Sequence, residues 1–171
     1  MTQVNTLESI NWQKKFNDCL PLFGHRNWIV VADAAYPAHS RDGIETIFAD
    51  ADHVDILRAV SHAIATAPHV HANILTDLEL AFVTENDAAG ISSYRKQLDD
   101  LFVGVNRSQI PHEEIIARLD ASAQLFRVLI LKTSMAIPYT SVFFELGCGY
   151  WNAESEARLR SAIETSPRQG R

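Results

Sequence analysis

The sequence predicts a single-domain α/β fold, a central β-sheet flanked by helices, and three observations carry that prediction. Two short continuous apolar runs, Trp28 to Ala32 and Val128 to Leu131, have the character of strands buried on both faces. Segments with apolar residues at helical spacing lie between the strand-like runs, and Gly, Pro and Asp mark their ends. Strands and helices that alternate with short connections form layers of helix around a sheet. A chain of 171 residues is long enough to bury one core without staples.

Taken in order, residues 7 to 22 place Leu7, Ile10, Trp12, Phe16 and Leu20 at roughly helical spacing and stop near Pro21. Trp28 to Ala32 is the first strand, and Ile44 to Phe48 is a second, shorter candidate. Asp52 opens the clearest helix: its carboxylate caps free amides, Asp55 sits in the favourable first turn, and Pro68 ends the element. Val54, Leu57, Val60, Ile64 and Ala67 are its inward stripe. Strands are expected at 72–75 and 80–83, then a helix from Gly90 to Phe102 with Tyr94, Leu98, Leu101 and Phe102 inward. Residues 104–111 read as a loop, and 113–125 as another amphipathic helix through Ile115, Ile116, Leu119 and Ala123. Val128 to Leu131 and Val142 to Leu146 are the closing strands. A terminal helix is expected over 153–165, with a disordered tail over 166–171.

Composition removes several function classes. Hydrophobic residues make up 47% and charged residues 21% of the chain, as in ordinary soluble domains. A net charge of -6 and a pI near 5.6 leave nothing to neutralise a phosphate backbone, so no nucleic-acid partner is expected. Cys19 and Cys148 are too few and too far apart for a disulfide framework or a zinc knuckle. No apolar stretch reaches the length of a membrane span, and no basic start leads into an apolar run, so no membrane partner and a cytoplasmic location are expected.

The most informative stretch is Phe23-Gly24-His25-Arg26-Asn27, followed by Asp33-Ala34 and Pro37-Ala38-His39-Ser40 around the first strand. It puts a histidine before a buried strand and an aspartate at its end, where side chains leave the core and face ligands. Histidine exchanges protons near neutral pH, so the two are an acid/base pair in outline. The stretch resembles the signature of the RbsD/FucU family, D-ribose pyranases and L-fucose mutarotases, and is closer to the fucose branch. A second similarity covers Val128 to Gly147, a strand, a loop ending in Pro138-Tyr139 and another strand. The resemblance spans roughly residues 7 to 149, with residues 1–151 as the family-like domain and 152–171 as a C-terminal extension.

The resemblance implies an RbsD-like fold and a cofactor-free isomerase that interconverts cyclic forms of a free monosaccharide. It also implies a ring-shaped homo-oligomer, commonly a decamer, with its site at a subunit boundary. By the same resemblance His25 is the proton donor, and Asp33 and Tyr139 hold sugar hydroxyls. His112 (in His112-Glu113-Glu114) or Arg107 (in Val105-Asn106-Arg107) completes the pocket, with His39 and Ser141 as further substrate contacts. Four positions depart from the family pattern. Asn27 replaces an aspartate, Ser134-Met135 replaces Gly-Glu, Ser141 replaces an asparagine, and residues 151–171 run past the usual end.

Opening a hemiacetal requires removal of one proton from the anomeric hydroxyl and delivery of one to the ring oxygen; no metal or redox centre is needed. General acid/base catalysis contributes about 10²–10⁴-fold. Tyrosine adds a hydroxyl and a ring face for the apolar side of a sugar. A catalytically silent sugar-binding or regulatory protein is the alternative, favoured by the missing Asn and Glu. A metal-dependent hydrolase or lyase using some of His25, Asp33, His39, His69 and His71 is a third reading. His69-x-His71 lacks a third ligand nearby in sequence, so no metal is expected. Cys148 between two glycines reads as a small buried filler, and Glu145 as an edge or subunit contact. Phe143, Phe144, Tyr150 and Trp151 read as aromatic surface for self-association.

Overall fold

The computed structural model describes residues 11–166. The chain runs α1 (Trp12–Cys19), β1 (Trp28–Ala32), β2 (Ile44–Phe48), α2 (His53–Thr66), β3 (Val70–Asp77), α3 (Ile91–Leu101), β4 (Arg107–Ile110), α4 (His112–Ser122), β5 (Val128–Lys132), β6 (Val142–Cys148) and α5 (Ala153–Thr165). Leu7, Ile10 and residues 167–171 of the expected first helix and tail lie outside the described residues. Asp52 caps α2 as its position implies, accepting from the amides of Val54 and Asp55.

The six strands form one mixed sheet in the order β2-β5-β1-β6-β3-β4. β6 runs antiparallel to β1 and β3, whereas the β1–β5, β2–β5 and β3–β4 pairs are parallel. The carboxyl ends of β1 to β5 therefore share one edge with the start of β6. Strand alternation splits the interior into two cores. Ile29, Val31, Leu129, Leu131 and Phe144 face α1, α2 and α3. Val30, Ile130, Leu75 and Phe143 face Ile115 and Leu119 of α4.

Four expectations change. Residues 80–83 do not form a strand: Leu78–Ala81 is a 3-10 turn, because β3 already extends to Asp77 and the chain must leave the sheet. The expected loop at 104–111 contains β4, an edge strand whose mixed polar residues, Arg107, Ser108 and Gln109, gave no apolar signal. Phe143 and Phe144 are fully buried, one in each core, which leaves Tyr150 and Trp151 as the aromatic surface. Glu145 is not on an edge, because β6 lies between β1 and β3.

Gly149 lies against β3. A Cβ there would come within 2.7 Å of the Val70 amide nitrogen and 2.8 Å of its carbonyl oxygen, so backbone contact fixes glycine at this position. No helix among the described residues is long and apolar enough to cross a membrane.

Candidate functional site

The carboxyl edge of the sheet gathers polar side chains from four directions. Asp33 follows β1, and Asp77 ends β3. His112 opens α4 directly after β4, and Tyr139 and Ser141 close the loop between β5 and β6. Register explains the meeting. Val142 pairs with both Val31 and Thr76, so one step further Ser141 lies between the ends of β1 and β3.

Two linked pairs result. The Ser141 hydroxyl donates to Asp33 Oδ2 at 2.8 Å and accepts from the Asp33 amide at 3.1 Å. Asp33 Oδ1 also accepts from the Ala35 amide at 2.9 Å, so the residue shapes the turn as well. Each of its oxygens keeps a lone pair for a further donor. Beside it, His112 Nδ1 lies 3.0 Å from Asp77 Oδ1, and the His112 ring meets Tyr139 edge to face at 5.8 Å. Because the carboxylate anchors Nδ1, His112 Nε2 is the nitrogen free to exchange a proton with a ligand. Tyr139 is 38% exposed and holds φ at 60°, a left-handed conformation uncommon for a bulky residue and concentrated at ligand sites.

The supports come from residues that sequence reasoning missed. Glu79, in the turn after β3, accepts from the His112 amide at 3.0 and 3.1 Å. It thereby caps α4, which has no capping side chain of its own. Beneath the β5–β6 loop, buried His53 reaches the Thr140 carbonyl through Nε2 at 3.0 Å and Thr133 Oγ1 through Nδ1 at 2.9 Å. A carbonyl only accepts, so Nε2 carries the proton; burial pushes the His53 pKa down and keeps the ring neutral. Tyr94 donates to the same carbonyl at 2.6 Å. Asp77 carried a weak signal, a carboxylate closing an apolar run; His53 looked like an ordinary helix start.

Asp77 is 1% exposed, and its Oδ2 has no partner. The Tyr36 hydroxyl and His39 Nε2 are likewise buried and unpaired, with the two rings 5.9 Å apart. Unpaired buried polar atoms are scarce in folded proteins, and these leave polar groups without a protein partner at this sheet edge. Burial pushes the Asp77 carboxyl from 3.8 up to about 6, against the opposing pull of His112. The folded state thus holds this proton more tightly than the unfolded chain. The associated stability is complete below pH 3.8 and is lost as pH rises through about 6. Asp77→Asn removes that titration. Urea denaturation is expected to show the variant gaining about 2–3 kcal/mol relative to wild type between pH 4 and pH 7.5.

The other expected site residues lie elsewhere. His25 is exposed and precedes the opposite end of β1, whose five residues put roughly 16 Å between the two ends. The Asn27 side chain closes the His25 turn by accepting from the Gly24 amide at 2.8 Å and donating to the Arg127 carbonyl at 3.1 Å. Arg107 begins β4 and pairs with Asp99 of α3 at 2.6 Å, apart from the cluster that includes His112. His69 and His71 bond separately to the carbonyls of Leu20 and Cys148. Among the described residues no three His, Cys, Asp or Glu side chains are grouped to hold a metal ion. Cys148 is half-buried.

Fold and site together define an α/β protein with a polar side-chain cluster at the carboxyl ends of its strands, beside the point where strand direction reverses, the place where open α/β sheets bind ligands. The chain belongs to the RbsD / FucU transport protein family, which it matches over residues 13–149. Among solved structures it is similar to Bacillus subtilis RbsD complexed with D-ribose, with a TM-score of 0.56 and 21% identity over 86% of this chain and 98% of that one. It is also similar to the Streptococcus pneumoniae fucose mutarotase in complex with L-fucose, with a TM-score of 0.49 and 16% identity over the same shares. FucU from Bifidobacterium longum matches with a TM-score of 0.47 and 15% identity, over 78% of this chain and 94% of that one. No curated protein sequence matches significantly.

Proposed function

We propose that this protein is a cofactor-free monosaccharide mutarotase or pyranase, acting on a fucose-like or ribose-like sugar by general acid/base ring opening. The observation that carries the reading is the convergence of Asp77–His112, Asp33–Ser141 and Tyr139 on one sheet edge. Family membership and relatives bound to D-ribose and L-fucose supply the ligand class. Asp33 and Tyr139 grip hydroxyls, and the ring face of Tyr139 supports the sugar's apolar side. One proton leaves the anomeric hydroxyl, one reaches the ring oxygen, and the C–O bond of the ring breaks. Reclosure reverses both transfers. His112 Nε2 is one carrier of these protons, with Asp77 holding its ring.

His25 is the other carrier, and it comes from a neighbouring copy in a cytoplasmic ring-shaped oligomer, because within one chain it stands at the far end of β1. His39 is a further sugar contact, its ring 5.9 Å from that of Tyr36. The alternative, a catalytically silent sugar sensor on the same scaffold, draws support from Ser141, whose hydroxyl is committed to Asp33 rather than free for a sugar.

Saturation-transfer NMR between sugar anomers, over fucose, ribose, galactose and glucose, separates the two readings. Accelerated exchange that disappears in His25→Ala while light scattering shows an intact oligomer is the expected result. Binding without accelerated exchange for every sugar supports the sensor, and a monomeric wild type would remove the shared site.

A further inference from the structure

A cavity of about 710 Å³ opens beside His25, at the amino-terminal end of β1. The ends of β3 and β6 form its floor, and Trp151 and the first turns of α5 form one wall. That wall lies beyond residues 13–149, the span matched to the family, and the site described above does not use it.

The wall has a fixed geometry. Trp151 Nε1 donates to Glu156 Oε2 at 2.8 Å, and Arg160 Nε donates to Glu156 Oε1 at 2.7 Å. Those donors hold the Glu156 carboxyl below its usual range, so it is an ionised acceptor at neutral pH. On the floor, His71 Nδ1 lies 2.9 Å from the Cys148 carbonyl. The proton therefore sits on Nδ1, and Nε2 remains an acceptor. A Cβ at Gly147 would lie 2.5 Å from the His71 ring, so glycine is what lets the imidazole rest against the strand.

An indole beside a fixed carboxylate and an imidazole suits a neutral sugar. Its C–H face rests on the aromatic ring, and its hydroxyls donate to the carboxylate and the imidazole. The charged side chains around the cavity balance, Arg26 and Arg160 against Glu145 and Glu156. That balance disfavours a phosphorylated or acidic sugar.

We propose that Trp151 and Glu156 act as a specificity element, binding a neutral monosaccharide within reach of His25 and deciding which sugar is accepted. The proposal rests on the reading of His25 as a site residue. In an assembly that pairs His25 with another copy's strand-end cluster, the Trp151–Glu156 wall closes the shared site.

The test uses full-length wild type, Trp151→Ala, Trp151→Phe, Glu156→Gln and, as a control outside the cavity, Arg158→Ala. Each is titrated with L-fucose, D-ribose, D-galactose and D-glucose by saturation-transfer difference NMR, and anomer exchange is recorded on the same samples. Trp151→Ala and Glu156→Gln are expected to weaken the best-bound sugar by about tenfold, the loss of one charge-assisted hydrogen bond or its equivalent, and to reorder the panel. Trp151→Phe keeps a ring face and is expected to recover most of the affinity; Arg158→Ala matches wild type. Where circular dichroism shows that Trp151→Ala has lost helix, Glu156→Gln decides. Unchanged affinities and order in both variants overturn the proposal, as does a wild type that binds none of the four sugars. The mutarotase reading fails on a different result, binding without accelerated exchange.

Discussion

His112→Ala is expected to slow catalysed anomer exchange by about 10²–10⁴-fold, the usual contribution of one positioned acid/base group. Stability is expected to fall as well, because the variant leaves the buried Asp77 carboxyl without its one side-chain partner, so exchange is compared on protein that circular dichroism shows to be folded. The expected loss falls on turnover more than on sugar affinity, since Asp33 and Tyr139, the proposed sugar contacts, remain. Asp77→Asn separates orientation from charge. The amide oxygen still accepts from His112 Nδ1, but the negative charge that steadies an imidazolium is gone. Its exchange rate should fall between those of wild type and His112→Ala, and its rate profile should lose any inflection that Asp77 contributes near pH 6. An exchange rate in His112→Ala within a few-fold of wild type would place proton transfer elsewhere, with His25 as the first candidate.

Phe144→Ala is expected to cost about 3–5 kcal/mol of stability, the range for truncating a large buried aromatic side chain. Phe143→Ala should cost a similar amount, since both residues are 0% exposed on β6. Marginal domains are stable by about 5–15 kcal/mol in total, so either change removes a large share. The two side chains serve different cores on opposite faces of the sheet. Each single variant is to be followed by urea denaturation, with the midpoint read at unchanged slope. A double variant whose loss is far from the sum would show that the sheet transmits strain between its faces.

Much of the fold was legible because burial leaves a pattern. The run at 28–32 announced a strand covered on both sides, and β1 is buried at every position. Asp52 announced a helix start through capping chemistry, which is local. β4 was illegible because an edge strand with mixed polar residues needs no apolar pattern, and the turn at Leu78–Ala81 because its apolar residues mimic a short strand. At the site, Asp33, Tyr139 and His112 could be named from motifs, and Ser141 from its place in one. Asp77, Glu79 and His53 could not, because their roles depend on partners 35, 33 and 80 positions away. The separation of His25 from Asp33 was legible, because the strand read at 28–32 lies between them and an extended strand holds its two flanks apart.

The strand order has a consequence for synthesis on the ribosome. β5 inserts between β2 and β1, and β6 between β1 and β3. Until Val128 has emerged, β3 and β4 are the one adjacent pair available among the described strands, so most of the nascent chain waits unpaired. The last two strands made are those that join the earlier ones, and the sheet closes only when Cys148 is free of the exit tunnel. Its exposed apolar runs, Trp28 to Ala32 above all, are therefore longest at risk during translation. Premature termination anywhere before β6 leaves β1 and β3 without the neighbour that both require.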